Sequence, residues 1–151
     1  IVSGGGAALD GLIEVNVAWP LSLSELPAPG AEYTILTALG TGIGSAMLLN
    51  GELIPNSELG HLQLDGRDAE KLASTSAKEN EDLSWKEWAK RLQRFYEHLE
   101  FLFSPELILV GGGISKSADE FLPLLKLRTP IRPASLRNNA GIVGAAALAS
   151  H

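Results

Sequence analysis

The segment TALGTGIGSAMLL, residues 37–49, sets Gly40, Gly42 and Gly44 at alternate positions, with Thr41 between the first two. Glycine within a strand weakens packing and costs backbone entropy. Three so close together mark either a tight bend or a place where backbone N–H groups approach an anion such as phosphate. Two common phosphate loops are excluded. A dinucleotide fingerprint must open a helix, whereas here a strand-like run follows, and a Walker loop needs a closing Gly-Lys-Ser/Thr. A second run, Gly111-Gly112-Gly113, follows the apolar ELILV and precedes a helix-like stretch. A nucleotide could lie there, or the glycines serve packing alone.

The other chemistry-bearing stretch is NSELGHLQLDG, residues 56–66, in which Glu58 and His61 flank Leu59-Gly60. A carboxylate and an imidazole beside a flexible glycine can fix sugar hydroxyls through hydrogen bonds. They could equally be two metal ligands, although no third or fourth ligand stands nearby with suitable spacing, or simply solvated loop residues. Glu70 is a further acceptor or a solvated helix charge. His98 reads as a surface residue of a long helix, and His151 is terminal.

Composition narrows the partners. The chain has 151 residues and a formal net charge of −6, so the whole-molecule field does not draw in a polyanion. Nucleic acid is not an expected partner, and a phosphate site must be local: backbone amides, a helix end, a metal or a few cations. The absence of cysteine excludes disulfides and thiolate metal sites. No apolar run approaches the ~20 residues of a membrane span. The first residues lack a basic stretch of the kind that opens a signal peptide. A soluble cytoplasmic protein is the expectation.

The elements that must position these residues are legible in part. GLIEVNV near the N-terminus reads as a strand, and WPLSLSELPAPGAE (19–32), with three prolines, reads as a linker. YTILTAL (33–39) and IGSAMLL (43–49) are strands joined by the glycine turn, and Asn50-Gly51 predicts a tight hairpin into ELIP. Residues 55–83 are polar, with a short helix expected around Ala69 to Ala77. Ser84 and Glu87 form a capping box ahead of an apolar stripe of Trp85, Trp88, Leu92, Phe95, Leu99, Leu102 and Phe103. This predicts a helix of about five turns ending before Pro105. The stripe is most simply core or a subunit contact. Its apolar area exceeds what a small sheet readily covers, so self-association is expected. ELILV (106–110) is a strand. A helix over Ser117 to Leu125, a loop with Pro130 and Pro133, and a small-residue helix capped by Asn139 complete the chain. The pattern suits an α/β domain with a mixed sheet, a β-meander followed by helices.

Taken together, LGTGIGSAMLLNGELIPNSELGH, DGRDAEKLAS, LSWKEWAKRLQRFYEHLE, FSPELILVGGGISK and AGIVGAAALA resemble, in that order, the C-terminal part of bacterial polyphosphate glucokinases. These belong to the ROK sugar-kinase group, with the actin/hexokinase-like (ribonuclease H-like) ATPase fold. The resemblance covers about residues 35–150. It implies a lobe over residues 33–151 and an altered or remnant segment with a Pro-rich linker over 1–32. It implies that Gly40, Thr41, Gly42 and Gly44 form the second phosphate-binding turn. Glu58 and His61 of the E-x-G-H motif would contact glucose, joined by Glu70, and Gly111, Gly112 and Gly113 would line the nucleotide or polyphosphate side. The implied reaction moves a phosphoryl group from polyphosphate or ATP, with Mg2+, to the glucose 6-hydroxyl, in a homo-oligomer.

The departures from that pattern matter. Where many ROK proteins carry a cysteine-rich zinc motif after E-x-G-H, LQLDGRDAE stands here, so zinc is not expected. The family's D-x-G-G-[ST] phosphate loop and its Asn-Asp segment, whose Asp is the catalytic base, do not occur among these residues; Asp10-Gly11 does not complete the loop. No catalytic residue is therefore identified, and the chain alone is expected to be inactive. A non-catalytic sugar-binding or oligomerisation module derived from such a kinase is the alternative, and a structural α/β domain without ligand is a third reading.

Overall fold

The computed structural model describes residues 31–50 and 52–134. The expected N-terminal strand, most of the linker, Gly51 of the hairpin and the helix after Asn139 lie outside the described residues. A five-stranded mixed sheet forms the frame, in the order β3-β2-β1-β6-β7. Strands β1 (Tyr33–Leu39) and β2 (Ile43–Leu49) are antiparallel across the glycine turn, from Tyr33 opposite Leu49 to Leu39 opposite Ile43. Strand β3 (Glu52–Ile54) returns antiparallel to β2, and Asn50 adopts a left-handed φ of 52°, as an Asn-Gly hairpin requires.

A polar excursion follows β3. A short 3-10 turn (Leu59–His61) leads into a small ribbon of β4 (Gln63–Leu64) and β5 (Arg67–Asp68), turned at Asp65 (φ 54°) and Gly66 (φ 74°). Two helices come next, α1 (Ala69–Ala73) and α2 (Thr75–Asn80). The single helix expected around Ala69 to Ala77 is thus split. Ser74 sits at ψ 164°, ending α1 and capping α2 by accepting from the Ala77 N–H at 3.1 Å.

Helix α3 (Trp85–Phe103) forms as its capping box and stripe dictate. The Ser84 N–H donates to Glu87 at 3.0 Å, and the Glu87 N–H donates to Ser84 Oγ at 3.3 Å. The helix ends on Ser104 in the left-handed region (φ 46°), immediately before Pro105. The chain then enters β6 (Leu107–Gly111), parallel to β1.

Alternation along the central strands divides the core between two faces. Ile35, Leu39, Ile43, Ile108 and Val110 meet the α3 stripe, while Leu36, Ala46, Leu107 and Leu109 form a smaller cluster on the opposite face. Trp88, Leu92, Phe95 and Leu99 are completely buried. These four residues of the stripe are therefore core, whereas Leu102 at its far end stays 47% exposed. Thr37, which faces α3, is reconciled with that apolar surrounding by a 2.8 Å hydrogen bond to the Tyr96 hydroxyl, whose pKa burial pushes up.

Two further expectations are corrected. The helix over Ser117 to Leu125 is only one turn, α4 (Ala118–Phe121), between 3-10 stretches Gly113–Ser117 and Leu122–Leu124. Pro123, inside the expected helix, cannot supply a helical N–H, which is why regular structure stops. The proline-punctuated loop instead holds β7 (Ile131–Pro133), parallel to β6. As the last strand of the sheet among the described residues it tolerates Pro133, because the N–H given to Val110 comes from Ala134. Among the described residues no helix is long and apolar enough to cross a membrane.

Candidate functional site

Strands β1 and β6 run parallel and end side by side, Ala38 opposite Gly111. The carboxyl ends of parallel strands are where open α/β sheets bind ligands, because the loops diverge there and leave a crevice. The glycine turn leaves β1 at this end and the Gly111–Gly113 turn leaves β6 beside it. Gly112 packs so closely on the end of β1 that a Cβ would lie 2.4 Å from the Leu39 carbonyl oxygen. Both glycine runs thus meet at one edge of the molecule.

The first turn is built without left-handed backbone at Gly40 or Gly42. The Gly40 N–H donates to the Gly42 carbonyl at 3.0 Å, and the Ser76 N–H at the start of α2 donates to the Gly40 carbonyl at 3.2 Å. Among the described residues the amides of Thr41 and Gly42 have no hydrogen-bond partner. Gly44 lies within β2, opposite Ala38. The need for glycine at position 42 is a close approach: a Cβ there would lie 2.4 Å from Glu70 Oε2. The carboxylate of Glu70, delivered by α1, rests against the turn.

The E-x-G-H segment is held on β2, where the Leu59 N–H donates to Ser45 Oγ at 2.9 Å. This places the His61 ring next to two carboxylates, with Nδ1 3.5 Å from Asp68 Oδ2 and 3.8 Å from Glu70 Oε1. Burial is the largest influence on Glu58 and raises its carboxyl above the ordinary range; Glu70 adds to that, while His61 and the Gly60 N–H pull it back. Glu58 caps the 3-10 turn that carries His61, and Glu70 reaches the same ring from α1. Helix α3 keeps the excursion in place. Arg91 binds Glu81 and donates to the Leu72 carbonyl at 3.2 Å, Arg94 pairs with Asp65, and the Trp88 indole N–H donates to the Ala73 carbonyl at 3.1 Å.

Chemically, the arrangement sets hydrogen-bond acceptors for hydroxyl groups beside unpaired amides able to receive an anion. The possible metal pairing of Glu58 with His61 is not what the fold assembles. Among the described residues the group close enough to share a cation is His61, Asp68 and Glu70, with ligand atoms all within 4.8 Å of one another. Asp68 went unnoticed in the sequence, because nothing in its spacing from His61 signals that a two-strand ribbon folds it back.

No protein-family model matches the chain. The crystal structure of inorganic polyphosphate/ATP-glucomannokinase from Arthrobacter sp. strain KM superposes with a TM-score of 0.81 at 53% identity, covering 91% of this chain and 56% of that one. A ROK family glucokinase from Streptomyces griseus, solved with glucose and AMPPNP, superposes at 0.67 with 20% identity, covering 89% and 66%. The latter shows the fold alone. The fold is that of the actin/hexokinase-like sugar kinases of the ROK group. In sequence the chain is a homologue of the polyphosphate glucokinases. It is 51% identical over 119 residues to the Mycobacterium tuberculosis (strain CDC 1551 / Oshkosh) polyphosphate glucokinase, covering 79% of this chain and 44% of that protein. The chain therefore spans less than half the length of these polyphosphate glucokinases.

Proposed function

We propose that this chain is the sugar-orienting and second phosphate-binding part of a glucokinase-type phosphotransferase, which moves a phosphoryl group from polyphosphate or ATP to the glucose 6-hydroxyl. The observation that carries the reading is the contact of Glu70 with Gly42. One carboxylate belongs both to the acceptor group around His61 and to the glycine turn, so a hydroxyl-bearing ligand and a phosphate would be held side by side. In this reading Glu58, His61 and Glu70 accept or share hydrogen bonds with glucose hydroxyls. The amides at Thr41 and Gly42 receive phosphate oxygens at the turn formed with Gly40 and Gly44, and Gly111–Gly113 border the donor. Phosphoryl transfer asks mainly for such positioning and charge stabilisation, with a base on the attacking hydroxyl.

The ion implied with the donor is Mg2+, which prefers oxygen ligands and keeps several waters and phosphate oxygens. The cluster of His61, Asp68 and Glu70 includes an imidazole and does not fit a protein-held magnesium site. The lobe over residues 33–151 provides the groups named above, while a base and a first phosphate loop have no counterpart among these residues. As it stands, the chain should bind glucose without transferring phosphate. Calorimetry with glucose and a coupled assay with ATP and with polyphosphate test the two halves separately. Heat of binding without turnover supports the reading; turnover above a heat-killed control overturns the division of labour, and the absence of any glucose binding overturns the site.

Glu58→Gln is expected to weaken glucose binding by ~1.5–3 kcal/mol, the range for a hydrogen bond to a charged group. The unfolding midpoint at neutral pH should not fall. Glu58 has a raised folded pKa, so its ionised form opposes folding, and that cost is relieved only as pH drops through the raised value. The same shift means that glucose affinity should decline on acidification at higher pH than an ordinary glutamate would dictate. A binding-versus-pH series beside the variant checks the sign. Equal affinities of wild type and Glu58→Gln would move the sugar contacts elsewhere.

A further inference from the structure

Asp68, in the β4–β5 ribbon, is the carboxylate nearest the His61 ring among the described residues. Its Oδ2 lies 3.5 Å from Nδ1, with Lys71 Nζ 4.0 Å behind it, and its Oδ1 accepts from the Gln63 side-chain amide. Glu70 also faces Nδ1, at 3.8 Å, but its Oε2 is already set against the glycine turn. Glu58 acts on the ring only at longer range. Asp68 makes the shorter approach to Nδ1, and its other oxygen is braced by the Gln63 side chain.

We propose that Asp68 is a positioning residue for His61: its carboxylate takes the Nδ1–H, fixing the ring and leaving Nε2 as an unprotonated acceptor toward the sugar. The direction of that acceptor rests on the proposed sugar site; the Asp68–His61 pairing does not. The tautomer of a histidine is set by the hydrogen bond made at its other nitrogen. With the side chain 59% exposed, the far nitrogen is the one left to a ligand. The 3.5 Å separation exceeds a closed N–H···O bond, and such contacts tighten when a site fills. A carboxylate behind an imidazole raises its basicity and locks its orientation, as it does behind metal-bound histidines.

The test is nitrogen-15 correlation spectroscopy of the imidazoles in the full 151-residue chain, at a pH where the ring is neutral. The His61 signals are assigned by their loss in His61→Gln. The wild type should show Nδ1–H at His61. Asp68→Ala should return the ring to the Nε2–H form of a free imidazole and weaken glucose binding about tenfold, the lower end of what loss of such an orienting partner costs. Asp68→Asn retains an acceptor oxygen and should keep both the tautomer and most of the affinity. If Asp68→Ala does not fold, the wild-type and Asp68→Asn spectra decide. An Nε2–H ring in the wild type, or one unchanged in folded Asp68→Ala, overturns the proposal. So does a chelator that shifts the His61 nitrogens, because a cation would then be holding the ring. An Nδ1–H ring in a chain that fails to bind glucose upholds the Asp68 pairing and instead removes the sugar reading.

Discussion

Trp88→Ala is expected to lower the unfolding free energy by about 3–5 kcal/mol, the range for truncating a buried Trp or Phe to alanine. The side chain is fully buried, stands edge-on to Phe121 with ring centroids 5.0 Å apart, and lies 5.9 Å from the Trp85 ring. Its indole N–H also donates to the carbonyls of Ala73 and Ser74, at 3.1 and 3.2 Å. Those carbonyls lie where α1 gives way to α2, so the substitution removes a large apolar volume and the donor that fastens this junction. Helix α1 carries Glu70, which ties the loss in the core to the candidate site. Urea unfolding should show a lower midpoint with an unchanged slope. Trp88→Phe, which keeps a ring but no donor, should cost less than Trp88→Ala. A Trp88→Ala loss below about 1 kcal/mol would place the residue outside the core, because surface substitutions fall in that small range.

The second large effect is expected at Gly112. This residue has φ 82° and ψ 176°, a region essentially restricted to glycine and costing about 1–3 kcal/mol for other residues. A Cβ would also lie 2.4 Å from the Leu39 carbonyl oxygen and 2.9 Å from its nitrogen, both backbone atoms that cannot swing aside. Crowding of this kind adds about 1–3 kcal/mol. Gly112→Ala should therefore destabilise the fold and push the end of β1, from which the Gly40–Gly42 turn departs. The control is Gly111→Ala. Its Cβ would approach only the Thr37 carbonyl, at 3.7 Å, within a strand where alanine is favoured over glycine by about 0.5–1 kcal/mol. Thermal unfolding of the two variants should move in different directions. A Gly112→Ala midpoint equal to that of wild type would mean that the turn relaxes into another conformation and that its glycine is not required.

Helix α3 illustrates what a local signal can carry. Ser84, Glu87 and the apolar stripe specify a start, a length and a buried face within one stretch of chain, and the helix forms accordingly. Strands β1, β2 and β6 were equally legible, because their apolar runs are bounded by glycine, Asn-Gly or proline. The glycine turn and E-x-G-H stood out for the same reason: short-range spacing of unusual residues.

The misses share a different cause. Strand β7 contains Pro133, which argues against a strand until β6 is known to offer an edge to which Ala134, not Pro133, gives its N–H. Phe121 folds back onto Trp85 and Trp88 and covers the start of the stripe, a contact that periodicity does not reveal. The buried Thr37 hydroxyl likewise finds its partner in Tyr96, far along the chain.

By itself, then, the sequence determined the α3 helix, the main strands, the local glycine turns and the kinship with polyphosphate glucokinases, all of which reside in neighbouring residues or in the order of motifs. Tertiary structure alone decided that Glu70 rests on Gly42 and that Asp68 and Glu70 both come up against the His61 ring. Those contacts join a hairpin turn, a 3-10 turn, a two-strand ribbon and the helix that follows it. Their distances are set by how each element packs on α3 and β2, and no spacing along the chain encodes that packing.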